Sequence, residues 1–257
     1  FAGRHSGSLR RTLTDDVNAL EGFFAHMLPD AIIATNTSAL SVTEIAGQCG
    51  FQDGSEIHEA VCTLLALDQQ GARYQCFAPD MAQARVVNHL TGSEVHDTRN
   101  VLVESARIAR GAIQPLADFD ASRFDALVMP GGFGAALNLS DFAQAGAHCS
   151  VQKDMAHAVA TMHQAGKPIG ALCIAPVILA RLLPGAHLTI GKDAETADAC
   201  RKMGAIHQDT GHGQVAVDRQ NRLVTTPCYM LNARISQIFE DAQILVRELL
   251  KMVVHQD

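Results

Sequence analysis

The stretch "GKPIGALCIAPVILARLLPG", residues 166–185, places one cysteine between two apolar runs. The run before Cys173 is short and bounded by Gly and Pro, which fits a buried strand, and the run after it has the length of a helix. Pro176 suits the first helical turn, where its missing N–H is not needed. A strand that turns at once into a helix is the repeating unit of α/β folds. Cys173 therefore sits at a strand-to-helix turn, either as a small packing residue or as a thiol held there for chemistry.

The same alternation extends outward from residue 56. "EIHEAVCTLLALDQQG" reads as a helix with Ile57, Ala60, Val61, Leu64 and Leu65 on its inner face, and "ARYQCFAPD" as a strand ending at a Pro-Asp turn. "TRNVLVESARIARG" is a short helix, "FDALVMPGGFG" a buried strand entering a Gly-rich loop, and "CSVQKDMAHAVATMHQAG" an amphipathic helix. "AETADACRKMGA" follows as a helix, "QVAVDRQNRLVTTP" as a hairpin turning at Asp218 to Asn221, and "ARISQIFEDAQILVRELLKMVV" as a long closing helix. The pattern predicts an α/β fold: a doubly wound, mostly parallel sheet with helices on both faces, whose sites lie at the carboxyl ends of its strands.

Composition narrows the function. The 257 residues are 47% apolar and 18% charged with a net charge of −7, and no basic cluster exceeds the one at Arg10 and Arg11. Nucleic acid is not an expected partner. The longest charge-free apolar stretch, between Lys167 and Arg181, is too short to span a bilayer. Seven cysteines without CxxC spacing predict a reducing compartment, no disulfide framework and no structural zinc. No signal peptide is expected. The Arg/Ser-rich opening, residues 1–11, gives a cytoplasmic location a mitochondrial alternative.

Three stretches would meet at the strand ends. Beside Cys173, free N–H groups at the start of the following helix favour a thiolate. In "MPGGFGAALNLS" consecutive glycines let backbone N–H groups turn toward a forming oxyanion, or simply make a turn. In "DGSEIHEAV" Glu56 and Glu59 stand three apart, as an acidic first turn that stabilises its helix or as a carboxyl partner for the thiol. Among twelve histidines, His58 and His212 lie near these stretches, yet neither has metal-ligand spacing, and both are read as solvated or structural.

These stretches, with "CGFQDGSEIHEAV", "DALVMPGGFGAALNLSDFA", "MHQAGKPIGALCIAP", "LTIGKD" and "VTTPCYML", resemble the PfpI/ThiJ superfamily over residues 49–252. The resemblance is strongest to its ElbB/ES1 branch, glyoxalase-named relatives of class I glutamine amidotransferases. It implies a flavodoxin-like fold with Cys173 as nucleophile, Glu59 as the helix-borne glutamate, and Gly131, Gly132 and the N–H of Ile174 as oxyanion donors. The implied activity is glyoxalase III-type: glutathione-independent conversion of glyoxal to glycolate through a cysteine hemithioacetal, with no cofactor and no metal. The substrate would be a small dicarbonyl, and relatives are commonly homodimers. The superfamily's downstream histidine is not evident, since "TIGKD" stands there. The alternative is a redox-responsive or partner-binding protein in which Cys173 is oxidised rather than catalytic.

Upstream the pattern changes. "SVTEIAGQCG" carries Glu44 where the family has an apolar strand, and residues 15–46 resemble the end of a 3-hydroxyacyl-CoA dehydrogenase nucleotide-binding domain. No Gly-rich fingerprint precedes them, so no dehydrogenase activity is implied. Residues 1–47 are read as a helix-strand appendage and 48–257 as the α/β domain. Either "DAIIAT" or "LSVTEIAG" replaces the first central strand, or the sheet lacks it and is weakened by two exposed edges.

Overall fold

A computed structural model describes residues 50–254. The expectations for residues 1–47, including the replaced first strand, lie outside the described residues. In chain order the elements are α1 (Ile57–Gln69), β1 (Cys76–Ala78), β2 (Val87–Asn88), β3 (Ser93–Glu94), α2 (Val101–Ser105) and β4 (Ile113–Pro115). Then come β5 (Leu127–Met129), α3 (Phe133–Leu137), α4 (Phe142–Ala145), α5 (Lys153–Gln164), β6 (Ile169–Leu172) and α6 (Pro176–Leu182). The chain closes with β7 (His187–Leu188), α7 (Ala194–Lys202), β8 (Ile206–His207), β9 (Ala216–Asp218), β10 (Leu223–Thr226) and α8 (Ile235–Val254).

The main sheet has the order β5-β6-β10-β9, parallel through its first three strands, with β9 antiparallel as the other arm of the predicted hairpin. Every residue of β5, β6 and β10 is buried, as a strand covered on both faces requires. One face carries a core built on Phe77, Leu127, Met155, Met162, Ile169 and Ile178. The other carries Leu67, Val128, Val224, Ile238, Leu245 and Leu249. β1 pairs in parallel with β4 as a separate two-stranded sheet.

Register decides where the chemistry can gather. Met129 is level with Ala171, and Leu172 with Thr226, so β5, β6 and β10 run out at one edge. The Gly131 loop, Cys173 and the Cys228–Tyr229 turn are the segments that emerge there.

Helix α1 lies where expected but presents a different face. Glu59, Ala60, Cys62, Thr63, Ala66 and Leu67 are buried, whereas Val61 and Leu65 are 45% and 43% exposed. Of the expected inner face, Ala60 is buried and Ile57 and Leu64 are half-buried, so the stripe is rotated away from Val61 and Leu65 alone. Cys62, Ala66 and Leu67 of α1 share one core with Ile238, Ala242 and Leu245 of α8, while Ala60 packs with Cys76 of β1. The rotation also turns Glu59 inward.

Candidate active site

Cys173 leaves β6 with φ of +59°, a left-handed conformation that costs a non-glycine residue energy and persists only where neighbours enforce it. They do so here. Its N–H donates to the Thr226 carbonyl at 2.9 Å, and Ala175 N–H reaches back to the Leu172 carbonyl at 3.0 Å. Pro176 then opens α6. The sulfur receives hydrogen bonds from the N–H groups of Gly132 and Ile174 and shares one with the Glu59 carboxyl.

Glu59 is fully buried. Its Oε2 accepts from Gly131 N–H at 2.9 Å and its Oε1 from Tyr229 N–H at 3.1 Å. Burial, aided by the nearby charge of Glu56, pushes its carboxyl up to about 8 against these donors. Glu56 does the work of the helix start, accepting Glu59 N–H at 2.8 Å as the N-cap. Of the acidic pair, one residue therefore caps and the other faces the thiol.

The loop between them has room only for glycine. A Cβ on Gly131 would fall 2.5 Å from Cys173 Cβ and 2.8 Å from Glu59 Oε2. Gly132 has φ of +95°, and a Cβ there would lie 2.3 Å from the backbone nitrogen of Glu56. The loop is fastened to the start of α1: Glu56 N–H donates to Gly131 O at 3.1 Å, Gly134 N–H to Gly54 O at 2.7 Å, and Phe133 N–H to Phe51 O at 2.7 Å. Asp53, itself buried, accepts Val87 N–H at 2.7 Å and holds that turn in place.

The five residues named from the sequence, Cys173, Glu59, Gly131, Gly132 and Ile174, thus converge in one place. One electrostatic expectation is corrected. Burial and the charge of Glu59 raise the Cys173 thiol well above its ordinary value, and the Gly132 and Ile174 N–H groups only oppose this. The helix start does not by itself yield a thiolate. Ionisation belongs to the Cys173–Glu59 pair, which shares buried protons.

A cavity of about 720 Å³ opens above the sulfur, with Cys173, Gly132 and Ile174 among its lining residues. His58 and Tyr229 line it too, with His58 Nδ1 2.8 Å from the Tyr229 hydroxyl and 3.7 Å from Glu56. His58, read as solvated or structural, has a side chain 44% exposed; the ring also borders the thiol's cavity. Its position one residue before Glu59 was the available signal. Tyr229 had none, because its contribution to Glu59 is a backbone N–H. His212 is structural, bonded to buried Asp241 at 3.0 Å and to the Asn232 carbonyl at 3.2 Å. Among the described residues no group of three His, Cys, Asp or Glu side chains is placed to hold a metal ion, and no helix is long and apolar enough to cross a membrane. The six described cysteines are free.

Known proteins resemble this chain in sequence and fold. Human glutamine amidotransferase-like class 1 domain-containing protein 3, mitochondrial, is 42% identical over 83% of this chain and 84% of its own length. The zebrafish (Danio rerio) ES1 protein, mitochondrial, is 31% identical over 84% of this chain and 87% of its own. The crystal structure of an isoprenoid biosynthesis protein with amidotransferase-like domain from Ehrlichia chaffeensis superposes with a TM-score of 0.77 at 33% identity, covering 85% of this chain and 97% of that one. The profile of the DJ-1/PfpI family matches residues 51–228, and the chain belongs to that family.

Proposed function

We propose that the protein is a glyoxalase III-type enzyme that converts glyoxal and water to glycolate without glutathione. The observation that carries this reading is a strained cysteine whose sulfur meets a buried, proton-retaining carboxyl on one side and two backbone N–H groups on the other. Sulfur attacks one aldehyde carbon, and the N–H groups of Gly132 and Ile174 stabilise the oxygen as charge moves onto it. Glu59 protonates that oxygen, giving a hemithioacetal. Its carboxylate then removes the C–H proton and returns it to the neighbouring carbon while the hemithioacetal O–H proton passes to the neighbouring oxygen, so one carbon is oxidised to a thioester and the other is reduced to an alcohol. Water, activated by the same carboxylate, cleaves the thioester, and glycolate leaves with the thiol restored.

The test is direct. Purified protein given glyoxal without glutathione forms glycolate, and Cys173→Ala forms none above background; glycolate production by the variant would remove Cys173 as the nucleophile. Because the attacking sulfur requires loss of one proton from the pair, kcat/KM for glyoxal rises with pH toward about 8 and then levels. The names of the human and zebrafish relatives place those proteins in mitochondria, which supports the mitochondrial over the cytoplasmic location for this chain. Cell fractionation decides between them.

A further inference from the structure

The cavity above Cys173 is far larger than glyoxal needs. Its volume of about 720 Å³ is of the size that encloses a drug-sized ligand, whereas glyoxal is two joined carbonyls and nothing more. The extra space is apolar. Phe142 of α4, Ala136 of α3 and Met230 after β10 line it beside the reactive sulfur, and the rings of Phe51 and Phe133 stand at it 50% and 44% exposed. Large apolar side chains left half in water around a concave site mark a surface that a ligand covers. The charged residues among the described lining are the carboxylates Glu56 and Asp193; Arg85 stands outside the lining, its guanidinium 5.8 Å from the centre of the Phe133 ring and donating to the Gln52 carbonyl at 2.9 Å. A carboxylate or phosphate on the substrate would meet the charge of Asp193 and find no lysine or arginine in the lining itself. An uncharged flat arm would gain burial against the rings and the methionine.

Resting on the glyoxalase reading, we infer that the substrate class is an uncharged α-oxoaldehyde bearing a flat apolar substituent, of the arylglyoxal type. Its aldehyde carbon meets Cys173 and its ring extends along Phe142 and Met230. The reaction balances without an external oxidant. In phenylglyoxal the aldehyde carbon becomes the thioester while the ketone carbon is reduced to an alcohol, the hydrogen passing between them through Glu59, and water releases mandelate.

Initial rates with phenylglyoxal and glyoxal decide the matter, with Cys173→Ala as the blank for reaction of phenylglyoxal with arginines. The wild-type protein is expected to favour phenylglyoxal in kcat/KM by about tenfold or more, and Phe142→Ala and Met230→Ala each to lower that preference by about tenfold. A preference at or below unity, or one that neither variant moves, overturns the substrate assignment while leaving the glyoxalase reading intact. Absence of turnover with both aldehydes defeats both together.

Discussion

Two helix amino-termini border the cavity, and they use one device to opposite effect. Glu56 caps α1 by accepting the N–H of the residue three positions on at 2.8 Å, and Asp193 caps α7 in the same way at 2.8 Å. Asp193 is exposed, and hydrogen bonds from Thr196 hold its carboxyl below the ordinary range. Glu56 is buried, and the loss of water raises its carboxyl despite the same kind of bond. Within the first turn the contrast widens, since Glu59 lies fully buried against the thiol while Glu195, the first-turn acid of α7, faces solvent. A capping pattern is a local property, but whether its carboxyls remain charges or become proton carriers depends on what the fold lays over them.

The comparison can be broken at several points. The largest effect is expected from Glu59→Gln, which should lower kcat/KM for glyoxal by about 100- to 10,000-fold, against no more than about twofold for Glu195→Gln. Comparable losses at the two positions, measured by steady-state kinetics, would mean that burial does not distinguish them. Next comes Gly132→Ala, whose added methyl collides with the backbone that starts α1 at a φ only glycine adopts freely. A loss of about 2–4 kcal/mol in denaturant unfolding is expected; a cost below about 1 kcal/mol would show that the loop can move away from α1.

Glu59 also ties stability to pH. Its folded pKa is about 8 against an ordinary 4.5, so the folded state holds the proton more tightly. That contribution is complete below about pH 4.5 and is lost as pH rises through about 8. Thermal melts between pH 5 and 9 should show the wild type losing stability across this window more steeply than Glu59→Gln. Parallel curves would assign the proton elsewhere. The smallest effect is the exposed cap: Asp193→Ala should cost about 1 kcal/mol, a Tm shift of about 2–4 °C in a chain of this size.

Much of this was legible in the residues. The buried strand before Cys173, the helix opened by Pro176 and the hairpin turning at Asp218 follow from apolar runs and turn chemistry, which are local. What could not be read is set by tertiary contact. The inner stripe of α1 includes the expected Ala60 but turns toward Cys62, Ala66 and Leu67, which pack with α8, so Val61 and Leu65 mislead. The pairing of His58 with Tyr229 joins segments that only the sheet brings together. The sulfur's reluctance to ionise alone reflects burial beside Glu59, and no spacing pattern reports the dielectric around a side chain.

The bond from Cys173 N–H to the Thr226 carbonyl carries a further consequence, one of timing. Thr226 belongs to the strand laid beside β6 only after α6, α7 and the hairpin have been made, and Tyr229, just beyond it, supplies one of the donors to Glu59. A growing chain that stops short of β10 has neither the left-handed elbow nor a complete cradle for the carboxyl. Contacts so distant in sequence form late, because the intervening loop must be closed before they return any stability. During synthesis the sulfur therefore stays an ordinary thiol, and the reactive arrangement arises only once the strand that enforces it has been delivered.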